Sequence, residues 1–464
     1  MRRTFYFLFL LFFALGLRAQ QAKYVFFFIG DGMGLNQVNT TEMLRAELQG
    51  RIGTEPLLFA TFPVAGMATT YSATNAITDS AAGGTALATG SKTYNDAIGV
   101  DTAGVALRSV AERAKAAGRR VGIATSVSID HATPAAFYAH QRDRHMYYEI
   151  ALDLPRAGFD FYAGSGFLSP ETDATGQPAP SIFPLIEEAG YVVARGQADY
   201  ESKAAKAQRL VLMQADGADP ASLPYAIDRR EGDLTLAQIT EDAIDFLTRD
   251  RRSKGFFVMI EGGKIDWACH NNDLATVCAE VNDLDAAIRV AYEFYEEHPR
   301  ETLIIVTADH ETGGLGMGRD GYTLALRSLA TQTVSEEALS RAVTNLRRQG
   351  NVAWDDVRRL LSDTMGFWSD LPLTWEQEKS LRDAYEQSFV QRKVVFEESL
   401  YATIEPLAAA AKRVMSELAL AGWTTGDHTA AYVPVFAVGA GAELFSGKMD
   451  NTDIPRRVAR AAGY

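Results

Sequence analysis

Unbroken apolar runs punctuate the chain, and each hands over to a short cluster of glycine and polar residues. Lys23–Ile29 leads into Gly30, Asp31, Gly32, Met33 and Gly34. Arg120–Ser126 runs to Asp130, His131, Ala132, Thr133 and Pro134; Gly255–Ile260 to Glu261, Gly262 and Gly263; and Thr302–Thr307 to Asp309 and His310. Apolar runs of this length read as strands buried on both faces, the kind found in parallel sheets. Polar residues at their C-terminal ends lie where open α/β sheets bind ligands. A last run, Val433–Val438, follows Gly426, Asp427, His428 and Thr429.

Helical periodicity fills the intervals, over Val105–Ala117, Thr235–Thr248 and Asp273–Glu297. Strand, helix, strand in alternation predicts an α/β fold: a doubly wound, mostly parallel central sheet with helices on both faces. Phe167–Tyr200, rich in turn residues, reads as a peripheral excursion. From Tyr322 to Leu420 charged, helix-forming sequence takes over. The expected organisation is a catalytic core over residues 20–321 and 421–464, with an inserted helical cap over residues 322–420.

Residues 1–19 stand apart: Arg2 and Arg3, an apolar run from Phe5 to Leu17, then a small-residue junction at Ala19. This reads as a secretory signal, too short to be a typical membrane span, so the expected location is the periplasm or the medium. Losing Arg2, Arg3 and Arg18 takes the formal net charge from −14 to −17. That balance argues against nucleic acid or an anionic membrane as a partner. An anionic substrate would then need local positive charge from metal ions or arginines. Cys269 and Cys278 are too few for a disulfide framework, and a single bridge between them is left open.

The stretch from Thr78 to Gly90 concentrates small residues behind Asp79 and Ser80. It reads as a tight helix start whose free N–H groups face an anion, with Ser80 as either a helix cap or a nucleophile. Of the seven histidines, His270, His310 and His428 each lie within four residues of a carboxylate. Asp266 and His270 share one side of a helical turn, and Asp309 and His310 are adjacent at a strand end. Imidazole with carboxylate oxygen is a donor set that Zn²⁺ accepts, and hydrolytic sites often hold two such ions roughly 3.5 to 4 Å apart.

With these motifs in order the chain resembles the alkaline phosphatases. The resemblance is carried by Asp31 to Gly34, Thr78 to Ala81, Glu261 to Asp266 with His270, Thr307 to Gly314, and His428 with Thr429. It implies hydrolysis of small organic phosphate monoesters at a site with two Zn²⁺ and one Mg²⁺. Asp266, His270 and His428 match the ligands of the first zinc, which takes the leaving-group oxygen and later the attacking water. Asp309, His310 and Asp31 match the second, which activates the serine. Asp31, Thr133 and Glu261 match the magnesium ligands, and Ser80 matches the nucleophile that becomes a phosphoserine. The arginine that clamps the phosphoryl oxygens falls eleven residues after Thr133, at Arg144, with Arg142 its near rival. Asp79 is expected to position Arg144.

His131 and Trp267 stand at positions that vary in the family and tune the site. Neither adds a carboxylate or ammonium beside the metals, so weaker magnesium binding than in Asp-containing relatives is expected. Lys264 and Glu311 are expected to be solvated or to support the ligands. Some family dimers use an N-terminal arm; this chain has no room for one, and a homodimer stays open. The alternatives are a phosphodiesterase or sulfatase of the same superfamily, or a non-catalytic relative that binds zinc or phosphate. Ser80 lacks the Pro and Arg of the sulfatase pattern, and diesterases usually carry Thr as nucleophile without the magnesium set.

Overall fold

Strand β1 (Tyr24–Gly30) is the axis of the molecule, and its phenylalanines explain why. Phe26, Phe27 and Phe28 are fully buried, pointing to alternate faces, so both faces of the strand need apolar cover. Phe26 packs edge-on against Phe256, and Phe27 against Phe137. The computed structural model describes residues 21–464 except positions 251 and 320; the expected secretory segment therefore lies outside the described residues.

The other strands of the main sheet are β2 (Val64–Thr69), β3 (Arg120–Thr125), β4 (Phe161–Ala163), β5 (Tyr191–Arg195), β6 (Arg209–Met213), β7 (Phe256–Gly262), β8 (Thr302–Thr307), β9 (Val433–Gly439) and β10 (Gly447–Asp450). Their order is β10-β2-β9-β8-β1-β7-β3-β4-β6-β5. Strand β1 lies between β7 and β8, parallel to both, with Tyr24 opposite Phe256 and Thr302. Only β9 is reversed, antiparallel to β8 and to β2. All parallel strands therefore end at one edge, where β1, β7 and β8 deliver Asp31, Glu261 and Asp309 side by side.

The helices used below are α1 (Leu35–Leu48), α2 (Ser80–Thr89), α3 (Leu236–Thr248), α4 (Lys264–His270), α5 (Leu274–Glu297), α6 (Glu336–Arg348), α7 (Trp354–Met365), α8 (Trp375–Tyr385), α9 (Pro406–Leu418) and α10 (Asp453–Ala462). Helix α5 packs on β1, β7 and β8 together with α1 and α3, while α10 packs on β1 and α2. Helices α6 to α9 surround a second apolar cluster that includes Leu339, Val357, Leu361, Leu381 and Leu407 and reaches Leu274 and Ala275 of α5. Gly316–Met317 pairs with Ala421–Gly422 where the chain leaves and re-enters the main sheet region.

The structure corrects two local expectations and answers one open question. The periodic run from Val105 becomes a helix only over Val110–Ala116, because Ser109 and Glu112 form a capping box that fixes the start. The excursion 167–200 contributes Tyr191–Arg195 as the edge strand β5 of the main sheet, a short apolar run hidden among turn residues. Cys269 sits on α4 and Cys278 on α5, and both are buried free thiols.

Candidate active site

Helix α2 meets the edge of the sheet almost without side chains between. All ten of its residues are buried, and a Cβ on Gly83 would come within 3.1 Å of the Asp309 carbonyl oxygen. A Cβ on Gly84 would come within 3.2 Å of the Thr133 Cα. The small residues thus let the helix start press into the strand ends. The helix cap is Asp79, whose carboxylate accepts from Ala82 N at 3.0 Å, so Ser80 is the first helical residue and its hydroxyl is not used for capping. Ser80 Oγ is fully buried, 3.2 Å from His310 Nε2.

Tight turns place the carboxylates. Asp31 follows β1 directly and is succeeded by Gly32 at φ 71°, where a Cβ would lie 2.8 Å from Asp266 Oδ1; only glycine adopts that turn at that approach. Asp309 Oδ1 accepts from Gly32 N (3.3 Å) and from its neighbour His310 N (3.0 Å). Glu261, next to last in β7, accepts from the Thr125 hydroxyl. Thr133 Oγ1 lies 3.4 Å from Asp31 Oδ2 and from Asp309 Oδ2.

The histidines are oriented from behind. His270 Nδ1 donates to the Gly426 carbonyl and His428 Nδ1 to the Thr78 carbonyl, which leaves both Nε2 lone pairs facing the site. His428 is held by a two-residue strand pairing with Glu311–Thr312. The two Nε2 atoms stand 3.1 Å apart, and His270 Nε2 is 3.3 Å from Asp266 Oδ2. His310 Nε2 lies 3.3 Å from both Asp31 Oδ1 and Asp309 Oδ2.

Three groups of donors emerge, each with its ligand atoms within 4.8 Å of one another: Asp266, His310 and His428; Asp31, Asp309 and His310; and Asp31, His131 and Glu261. Asp31 Oδ1, Asp266 Oδ2 and Glu261 Oε1 are buried without a hydrogen-bond partner among the described residues. Burial pushes Asp31 and Asp309 well above the usual carboxylate range, reinforced by the charges of Asp309 and Asp266 respectively. It also raises Glu261 to about 7. Facing imidazole lone pairs, crowded carboxylates and orphaned oxygens are what cations would resolve, so the donor set fits bound metal ions. His131 joins the third group, a closer involvement than the tuning role its sequence position suggests. Burial and then the Arg144 charge lower its pKa to about 3, so it presents a neutral ring.

Geometry separates the two arginines. Arg142 is exposed, whereas Arg144 is 7% exposed and turned inward. Its Nη1 donates to Asp79 Oδ2 at 3.2 Å, and its Nη2 lies 3.4 Å from His131 Nε2. Asp79 therefore caps α2 with one oxygen and holds Arg144 with the other. Trp267 is buried beside His131. Lys264 and Glu311 are buried as well: Lys264 Nζ donates to Ser222 Oγ at 2.8 Å above the Tyr225 ring, and Glu311 accepts from Gln37, Thr429 and Gly314. Tyr401, whose hydroxyl accepts from Arg144 Nη2 at 2.8 Å, is a site residue that the sequence does not disclose. No motif in the surrounding sequence marks it.

The alkaline phosphatase family model matches residues 22–160 and 187–464. Alkaline phosphatase 3 of Bacillus subtilis is 31% identical over 96% of this chain and 90% of its own, and alkaline phosphatase 4 of the same organism 34% identical over 81% and 75%. The crystal structure of a cold-active alkaline phosphatase from the psychrophile Shewanella sp. superposes with a TM-score of 0.79 at 30% identity, covering 95% of this chain and 99% of the other. With matches over nearly its whole described length, the chain belongs to the alkaline phosphatase family, enzymes that hydrolyse phosphate monoesters.

Proposed function

We propose that the chain hydrolyses phosphate monoesters of small organic alcohols in two in-line displacements at phosphorus, with Ser80 as nucleophile and a phosphoserine between them. The observation that carries this reading is the position of Ser80 Oγ, 3.2 Å from His310 Nε2, because His310 belongs to two of the donor groups at once. Zinc held by Asp266, His270 and His428 and by Asp31, Asp309 and His310, with magnesium held by Asp31, Thr133 and Glu261, would supply Lewis acidity and lower the pKa of hydroxyl and water.

The chain's own residues do the positioning. Ser80 presents its oxygen from the first turn of α2, whose free N–H groups favour a bound phosphoryl group. Arg144, kept charged despite burial by the Asp79 carboxylate and the Tyr401 hydroxyl, offers a planar fork suited to two equatorial oxygens. Phosphoryl transfer relies mainly on positioning and charge stabilisation, so no separate general base is needed. Export to the periplasm or medium belongs to the same reading and rests on the apolar run Phe5–Leu17. Among the described residues no helix is long and apolar enough to cross a membrane.

The direct test compares an aryl phosphate with its diester and sulfate analogues, with and without chelator. Monoester turnover that chelator removes is expected, with the diester and sulfate at least about 100-fold slower. Turnover indifferent to chelator, or a faster diester, refutes the reading.

His131→Asp probes the third donor group separately. A carboxylate in place of a neutral imidazole adds charge where Asp31 and Glu261 converge. Magnesium affinity, read by titrating the metal back into stripped enzyme, is expected to tighten about tenfold or more. Unchanged affinity would show that His131 does not face that ion.

A further inference from the structure

A hairpin from the far side of the chain enters the active site. Glu397–Glu398 pairs antiparallel with Thr403–Ile404, and the turn between them carries Tyr401. Ser399 N donates to Ala402 O at 2.8 Å to close the turn. Ser399 Oγ donates to Asn271 Oδ1 at 2.7 Å, which ties the hairpin to the residue after His270. The Tyr401 ring then stacks on Trp267, with centroids 4.5 Å apart and planes 14° off parallel, and stands edge-on to His270 at 5.5 Å. One side chain therefore touches Arg144 and, on α4, both Trp267 and His270.

Trp267 and Tyr401 also line a cavity of about 790 Å³ whose walls include Tyr147, Phe396 and Leu400. A cavity of that size takes a small organic molecule. Single exposed apolar side chains are unremarkable, but Phe396 and Leu400, 40% and 60% exposed, line the same cavity as the aromatic pair. Trp267 is only 9% exposed, held as one wall of the cavity by the Tyr401 ring stacked on it.

We propose that Trp267 and Tyr401 form a leaving-group subsite for phosphate monoesters whose alcohol bears a planar aromatic ring, and that Tyr401 determines this specificity. The proposal rests on the monoesterase reading above. Because Tyr401 contacts Arg144 with its hydroxyl and Trp267 with its ring, an alcohol attached to a phosphoryl group at Arg144 meets the aromatic pair as it leaves the metal groups. Stacking tolerates many ring identities, so the subsite selects aromatic from aliphatic alcohols rather than one ring from another.

The test uses the metal-loaded enzyme with a nucleoside 5′-monophosphate and with glycerol 3-phosphate. Both lose a primary alkoxide, so their intrinsic reactivity is matched and a changed ratio of kcat/KM reports the subsite. Tyr401→Ala loses the tie to Arg144 for both substrates and the stacking wall for one. The nucleotide is therefore expected to lose about tenfold more than glycerol phosphate, chiefly through KM. Tyr401→Phe keeps the ring, so it should keep the wild-type ratio while weakening inhibition by inorganic phosphate. Equal loss for both substrates in Tyr401→Ala, or the same collapse of the ratio in Tyr401→Phe, overturns the proposal. Failure of the wild type to turn over either compound would instead overturn the monoesterase reading.

Discussion

Ser80→Ala is expected to lower turnover by on the order of 10⁴-fold or more while leaving the zinc content unchanged. The size follows from the role: removing a nucleophile leaves only the binding and electrostatic parts of catalysis. The specificity of the effect follows from the structure. Ser80 occupies the first helical position of α2, and Asp79 carries the cap, so alanine keeps the helix and its entry angle. Alanine removes the approach of Oγ to His310 Nε2, and the remaining ligands of both donor groups keep their own supports. Turnover of an aryl phosphate beside metal analysis of the same preparation reads both quantities. Zinc lost together with activity would make Ser80 a structural residue, and a loss below about tenfold would remove it from the chemistry.

What the sequence could reveal about this site follows from where the information lies. Asp31, Glu261 and Asp309 were legible because each ends an apolar run, and a parallel sheet brings such ends together whatever the strand order. Asp266 and His270 were legible because four residues make one helical turn. Arg144 and Arg142 could not be told apart locally. Their difference is set by Asp79, 65 residues away, which draws one guanidinium inward. Tyr401 is 257 residues from Arg144 and reaches it only through the hairpin fixed on Asn271. The edge strand β5 and the strands β2 and β10 were hidden for another reason. At the rims of the sheet one face needs less apolar cover, so their runs are short or interrupted by exposed positions.

Asp31→Asn is expected to lower kcat/KM by about 10³-fold or more and to reduce the content of two metal ions together, where His428→Ala reduces one. Asp31 is shared between two donor groups, whereas His428 belongs to one. The same substitution makes a stability prediction with opposite signs in two conditions. Without metal, Asp31 and Asp309 are buried carboxylates that repel one another, and Asp266 and Glu261 add to the repulsion. An amide of the same shape removes one of those charges, so stripped Asp31→Asn should melt above stripped wild type. With metal the order reverses. Each ion bound tightly to the native state stabilises it by about 2.7 kcal/mol at 100 times its Kd, and the variant forfeits that contribution at two positions. Melting both proteins with saturating zinc and magnesium, then with excess chelator, reads the crossing directly. A difference of the same sign and size in both conditions would mean that Asp31 acts through its fold contacts at the end of β1, and the shared-ligand role would fall.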